Sequence, residues 1–161
     1  MAVHKLMLND VFDEAPYSLI AIHCNIEDYR LAYLLNKQLG IKLTRRLMDL
    51  KFSANQSAYS VFEWDDAKAF ITWNMVANIC KVERVQKSAY NSLFNTEEKI
   101  TQTTYLIPEH KKINFFLKIE GGLDTLEEQH TINNILKIPR VVTAFSVDAD
   151  TLKSKDNLIF S

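Results

Sequence analysis

The chain has 161 residues, 47% of them apolar and 24% charged, and its nineteen Lys and Arg nearly balance twenty Asp and Glu. This size and composition belong to a single globular domain over residues 1–161 and exclude a disordered or fibrous chain. Near-neutral charge gives no field to draw the protein onto nucleic acid or an anionic membrane, so neither is expected as a partner.

The N-terminal residues Met1 to Asp10 turn polar too early for a secretory segment, and no apolar run approaches the roughly 18 residues of a membrane span. A cytoplasmic location is expected. Cys24 and Cys80 are the two cysteines, too few for a disulfide framework and without zinc-ligand spacing. Three glycines and three prolines favour long regular elements over phosphate-cradling loops.

In chain order, Tyr17 to His23 is apolar on both alternating faces, as a central strand covered on two sides would be. Asn25 is placed to cap a helix over Ile26 to Leu39, where Leu31, Leu34, Leu35 and Leu39 recur at helical spacing and Gly40 supplies the stop. From Ile41 the period becomes two, with Ile41, Leu43 and Leu47 on one face of a second strand. Tyr59 to Trp64 and Lys68 to Val76 are rich in aromatic and β-branched residues and predict a hairpin, with Asp65-Asp66 as its turn.

Residues 77–100 are polar without sustained period and read as a long flexible connection within the domain. Thr103 to Ile107 reads as a strand, Pro108 stops it, and Ile113, Phe115, Leu117 and Ile119 alternate in a further strand, giving a second hairpin. Gly121-Gly122 breaks the chain before a helix whose Thr125-Leu126-Glu127-Glu128 has capping-box spacing and which ends near Leu136. Val141 to Val147 forms the last strand, and Leu158-Ile159-Phe160 is apolar enough to dock. The expected fold is α+β: a mostly antiparallel sheet of six to seven strands, two main helices on one face, and βαβ units at both ends, an elaborated ferredoxin-like sandwich.

Ile107-Pro108-Glu109-His110-Lys111-Lys112-Ile113-Asn114-Phe115 resembles the signature that names the IPExxxVDY family of Bacteroidota proteins. The Ile-Pro-Glu part matches, whereas Ile113, Asn114 and Phe115 replace Val, Asp and Tyr. The resemblance implies a bacterial host and a cytoplasmic setting, and it implies no catalytic residue. Asn114 cannot accept a proton as a carboxylate does, and Phe115 has no hydroxyl, so the stretch reads as architecture.

Candidate chemistry is sparse. Pro108 and Glu109 read first as a structural hairpin loop, with Pro fixing φ and Glu109 bonding nearby backbone or a Lys; the alternative is that Glu109 and His110, with Lys111 and Lys112, form a polar loop tip suited to a partner. Cys24 precedes the first helix, whose dipole could lower its thiol pKa; the competing reading is a small buried hydrophobe. His23 and Cys24 should point to opposite faces, and His4, His110 and His130 lack ligand spacing, so neither metal nor cofactor is expected. Asp65-Asp66, Glu97-Glu98 and Glu127-Glu128 are explained by turns and caps, and Arg45-Arg46 with Lys42 and Lys51 by a solvated edge. Phe62, Trp64, Phe70 and Trp73 are too many to be exposed together and require a core or a second subunit.

The leading expectation is therefore a non-catalytic interaction or regulatory domain that contacts a protein partner or forms a homodimer through the aromatic hairpin and residues 77–100. A small-molecule-sensing, ACT-like regulatory domain is the alternative, by analogy of fold alone. An enzyme whose site is invisible in the sequence ranks third.

Overall fold

The two-faced apolar run becomes strand β1 (Tyr17–Cys24), with Leu19 to Ile22 buried on both sides. The computed structural model describes residues 16–86 and 98–160. The N-terminal stretch, His4 and residues 87–97 of the expected connection lie outside the described residues. Helix α1 (Asp28–Leu39) follows β1, and Gly40 ends it in the left-handed conformation at φ 69°. Its N-cap is Glu27 rather than Asn25, whose N–H instead bonds the Arg140 carbonyl.

Ten strands form among the described residues, six of them in one antiparallel sheet. They are β2 (Thr44–Arg45), β3 (Leu50–Phe52), β4 (Ser57–Tyr59), β5 (Val61–Asp66), β6 (Ile71–Ala77), β7 (Ile79–Gln86), β8 (Glu98–Tyr105), β9 (Phe115–Glu120) and β10 (Val141–Ser146), besides β1. Helix α2 (Thr125–Leu136) joins β9 to β10. The main sheet runs β10-β1-β9-β6-β5-β2, while β3-β4 and β7-β8 are separate two-stranded ribbons. Because β9 and β10 are both antiparallel to β1 and flank it, they run parallel to each other, and α2 makes a crossover around β1.

Period-two alternation sorts the core into two layers. Ile20, Ile22, Trp73, Met75, Phe115, Leu117 and Ile119 face the helices, where they meet Leu31 and Leu35 of α1 and Ile132 and Ile135 of α2. On the opposite face Leu19, Ala21, Val76 and Phe116 are covered by Tyr59, Leu106, Ile107 and Ile113 and by Leu152 and Leu158 of the C-terminal segment. Helices lie on one face as expected, and the C-terminal apolar residues dock.

Several local expectations are corrected. The second strand shrinks to Thr44–Arg45, and Leu47 is fully exposed. The Asn36 amide brackets Leu43, accepting from its N–H at 2.8 Å and donating to its carbonyl at 3.0 Å, which ties this segment to α1. In the aromatic hairpin Asp65 and Asp66 belong to β5, and the turn is Ala67 to Phe70, with Asp66 Oδ1 accepting from the Lys68 N–H at 3.1 Å. The capping box of α2 starts one residue early, as Asp124 and Glu127 satisfy each other's backbone N–H.

The larger corrections concern the middle of the chain. Within 77–100, residues 79–86 and 98–100 are strand: β7 and β8 pair along their full length from Ile79↔Tyr105 to Gln86↔Glu98. The period was hidden because the far part of this ribbon buries neither face, leaving Lys81, Glu83, Arg84 and Thr101 all exposed. The second expected hairpin does not form, since β8 pairs with β7 and β9 with β1 and β6. Glu109 therefore sits in a short 3-10 turn (Pro108–His110) between sheets rather than at a hairpin tip.

Candidate functional site

Asn78, fully buried between β6 and β7, organises the turn that carries Pro108 and Glu109. Its backbone N–H donates to the Asn114 carbonyl at 2.8 Å and its carbonyl accepts from the Leu106 N–H at 2.9 Å. Its side-chain oxygen accepts from the Ile107 N–H at 2.8 Å, and its Nδ2 donates to the carbonyls of His110 at 2.9 Å and Ile113 at 2.8 Å. One buried amide thus pins both ends of residues 106–114 and satisfies backbone groups that would otherwise be orphaned. A polar residue inside the apolar run Val76-Ala77-Asn78-Ile79 is the sequence signal that could have found it.

Asn114 performs the matching task at the end of β1. Pairing between β1 and β10 slips between His23 and Cys24, a bulge that takes the Cys24 N–H out of the ladder. Asn114 Oδ1 accepts that N–H at 3.0 Å, and its own N–H bonds the Ile22 carbonyl at 3.1 Å. The same Oδ1 lies 2.9 Å from His23 Nδ1. An oxygen already accepting there requires Nδ1 to carry a proton, which leaves Nε2 without a hydrogen bond among the described residues. Burial pushes the Cys24 thiol up, and only secondarily do an N–H near Ile26 and the Arg140 charge oppose this. That direction is the reverse of the one a dipole-activated thiolate needs, because α1 begins four residues later and Cys24 belongs to the core.

His23 opens onto a groove of about 500 Å³ lined by Pro108 to Ile113 and by Thr143 and Phe145 of β10. The structure thus brings Glu109 and His110, two expected site residues, together with His23. The His110 ring contacts Phe116 edge-on at 6.2 Å and Phe145 at 6.1 Å between centroids. Lys111 Nζ stands 5.8 Å from the Tyr105 ring. Glu109 turns to the C-terminal segment: Oε1 accepts from the Ser154 hydroxyl at 2.8 Å and Oε2 from the Ser154 N–H at 3.2 Å. Slight burial raises the Glu109 carboxyl, but hydrogen bonds from the Ser154 hydroxyl and N–H, with those from the Glu109 and Lys153 N–H groups, together outweigh it and hold the group below its ordinary value.

The remaining candidates are dispersed. Phe62 and Trp73 are buried against the helices, Trp64 is half-buried on the same cluster, and Phe70 is 85% exposed. Arg45 pairs with Asp49 at 2.6 Å, and Arg46 with Glu63 at 3.5 Å and with the Phe160 carbonyl at 3.3 Å, so this cationic edge is largely engaged. A second hollow of about 510 Å³ lies between α1 and α2, beside Trp73 and His130. Among the described residues no three His, Cys, Asp or Glu side chains gather as a metal site, and no helix is long and apolar enough to cross a membrane.

The β7-β8 ribbon leans on β4 at its base, where Tyr59 Oη donates to Thr104 Oγ1 at 3.2 Å and the Ala58 N–H meets Cys80 Sγ at 3.5 Å. Further out, Val85 and Ile100 are exposed. No protein-family model, no curated protein and no solved structure matches this chain.

Proposed function

We propose that this chain is a non-catalytic interaction domain of a bacterial cytoplasm, a divergent relative of the IPExxxVDY proteins on a ferredoxin-like scaffold, and that it engages another polypeptide through its β7-β8 ribbon. The strand order β10-β1-β9-β6, with α2 crossing over β1, supports the scaffold. The stretch Ile107-Pro108-Glu109 supports the kinship.

The observation that carries the interaction is the ribbon itself. Two eight-residue strands pair only with each other among the described residues, and Val85 and Ile100 are left exposed. A two-stranded ribbon is marginal in water, and each outer edge presents unpaired N–H and C=O groups that another strand can complete. Strand addition satisfies both needs at once.

The experiment compares the tagged native chain with a V85K/I100K variant in the same host, together with the mass of each purified protein by light scattering. The native chain should retain a partner, or a second copy, that the equally folded variant loses. A native chain that is strictly monomeric and retains nothing the variant lacks would overturn the proposal. A second reading, a small-molecule sensor, is favoured by the groove beside His23, whose few polar groups sit among apolar walls.

A further inference from the structure

We infer that the groove beside His23 is a binding site for a small carboxylate with a short apolar body, an inference that rests on the sensor reading of this groove and is independent of the ribbon. Its lining divides into two chemistries. Pro108, Ile113 and Phe145 supply apolar walls, and His23, His110 and Thr143 supply polar groups.

Those polar groups are held in place yet unsatisfied. Asn114 consumes His23 Nδ1 and leaves Nε2 without a protein partner, and neither the His110 ring nitrogens nor the Thr143 hydroxyl has a hydrogen bond among the described residues. Thr143 is the cross-strand partner of His23, so β1 and β10 deliver both to one wall. His110 cannot swing freely, because Phe116 and Phe145 confine its ring. Fixed polar groups set in an apolar cleft are the pattern of a ligand site.

Charge selects the ligand's sign. Lys111 and Lys112 line the groove, and neither has a carboxylate partner among the described residues. The one acid of the lining, Glu109, is directed to the Ser154 N–H and hydroxyl. An incoming carboxylate would therefore find the Lys111 and Lys112 ammonium groups, the N–H of the His110 imidazole and the Thr143 hydroxyl as donors, while His23 Nε2, an acceptor in the neutral ring, would border the ligand's body, which would cover Phe145 and Ile113. Ionic hydrogen bonds of this kind are the strong ones.

The test titrates the full chain with 3-phenylpropionate and with its neutral amide, following the imidazole resonances of His23 and His110 by NMR. The acid should shift both resonances and bind at least about tenfold more tightly than the amide. The exposed-residue variant K111Q/K112Q should lose most of the affinity for the acid while its affinity for the amide stays unchanged. Equal binding of acid and amide would overturn the carboxylate assignment and leave the groove as a neutral-ligand site. No shift from either compound up to about 10 mM, a weaker affinity than even a poor specific site gives, would overturn the assignment and the sensor reading together.

Discussion

Glu109 and Ser154 are locked by both carboxylate oxygens, one taking the Ser154 hydroxyl and the other its N–H. The contact closes a strap. From Ser154 onward the chain crosses the sheet face opposite the helices, with Asn157 Nδ2 donating to the Leu106 carbonyl at 2.8 Å and the buried Lys118 Nζ donating to the Leu158 carbonyl at 2.9 Å. Ile107 is core, Pro108 starts the turn and Glu109 fastens the strap, so each residue of the Ile-Pro-Glu stretch has a structural task.

Replacing Glu109 with Gln should therefore loosen residues 152–160 more than the fold as a whole. The site is exposed and screened, so the loss is at most about 1 kcal/mol. Its pH dependence has a definite sign. The folded pKa lies below the unfolded one, so the carboxylate's stabilisation is fully present above the ordinary value and fades as pH falls through the folded value. The stability gap between native and E109Q should be open at about pH 7 and should shrink as pH falls below the ordinary carboxylate range in urea titrations. A gap that widens on acidification would remove the Ser154 clasp as its cause.

Asn78→Ala should be far more damaging. It strands the Ile107 N–H and the carbonyls of His110 and Ile113 in or near the core, and each lost partner costs about 1 kcal/mol or more. A total of roughly 3 kcal/mol or more is expected in chemical denaturation. Asn78→Asp should not rescue, because a carboxylate keeps the acceptor for Ile107 but places oxygen against two carbonyls. Near-native stability of either variant would mean that residues 106–114 are held by packing alone.

These two sites show what could be read from the chain and what could not. The two-faced run of β1, the Leu31 and Leu35 spacing of α1 and the alternation of β9 were legible because burial imposes a period on sequence. The outer ribbon was illegible for the converse reason: with both faces in solvent, Lys81, Glu83 and Arg84 obey no pattern. Ile107-Pro108-Glu109 stood out, but Ser154 lies 45 residues away from Glu109 and Asn114 lies 91 residues from His23. Only the pairing of β9 with β1 brings Asn114 to His23, and no local spacing records that.

Two glycines separate backbone conformation from crowding. Gly40 ends α1 at φ 69° with open space where a Cβ would stand, so Gly40→Ala should cost only the left-handed penalty of about 1 kcal/mol. Gly121 adopts φ 112°, and a Cβ there would collide with the Phe70 carbonyl oxygen and come within 3.1 Å of the Ile71 Cα. Backbone cannot yield as a side-chain tip can, so Gly121→Ala should lose about 2 kcal/mol more than Gly40→Ala. Thermal unfolding of the pair measures the difference, and equal losses would show that the turn before β6 moves aside easily.

Phe70, whose carbonyl crowds Gly121, is itself in an unfavourable state. Its φ is 57°, a region that bulky residues avoid, and its ring is 85% exposed, so neither backbone nor burial rewards a phenylalanine at this turn. Asn tolerates the same conformation with less strain, and Phe70→Asn should raise stability by about 0.5–1 kcal/mol. Strain retained on an exposed aromatic is typical of positions kept for contact rather than folding. The same variant should therefore weaken any association made through the tip of the β5-β6 hairpin while it melts at a higher temperature. Calorimetry and light scattering on one sample test both halves, and a lower melting temperature would show that the Phe70 ring stabilises the turn despite its exposure.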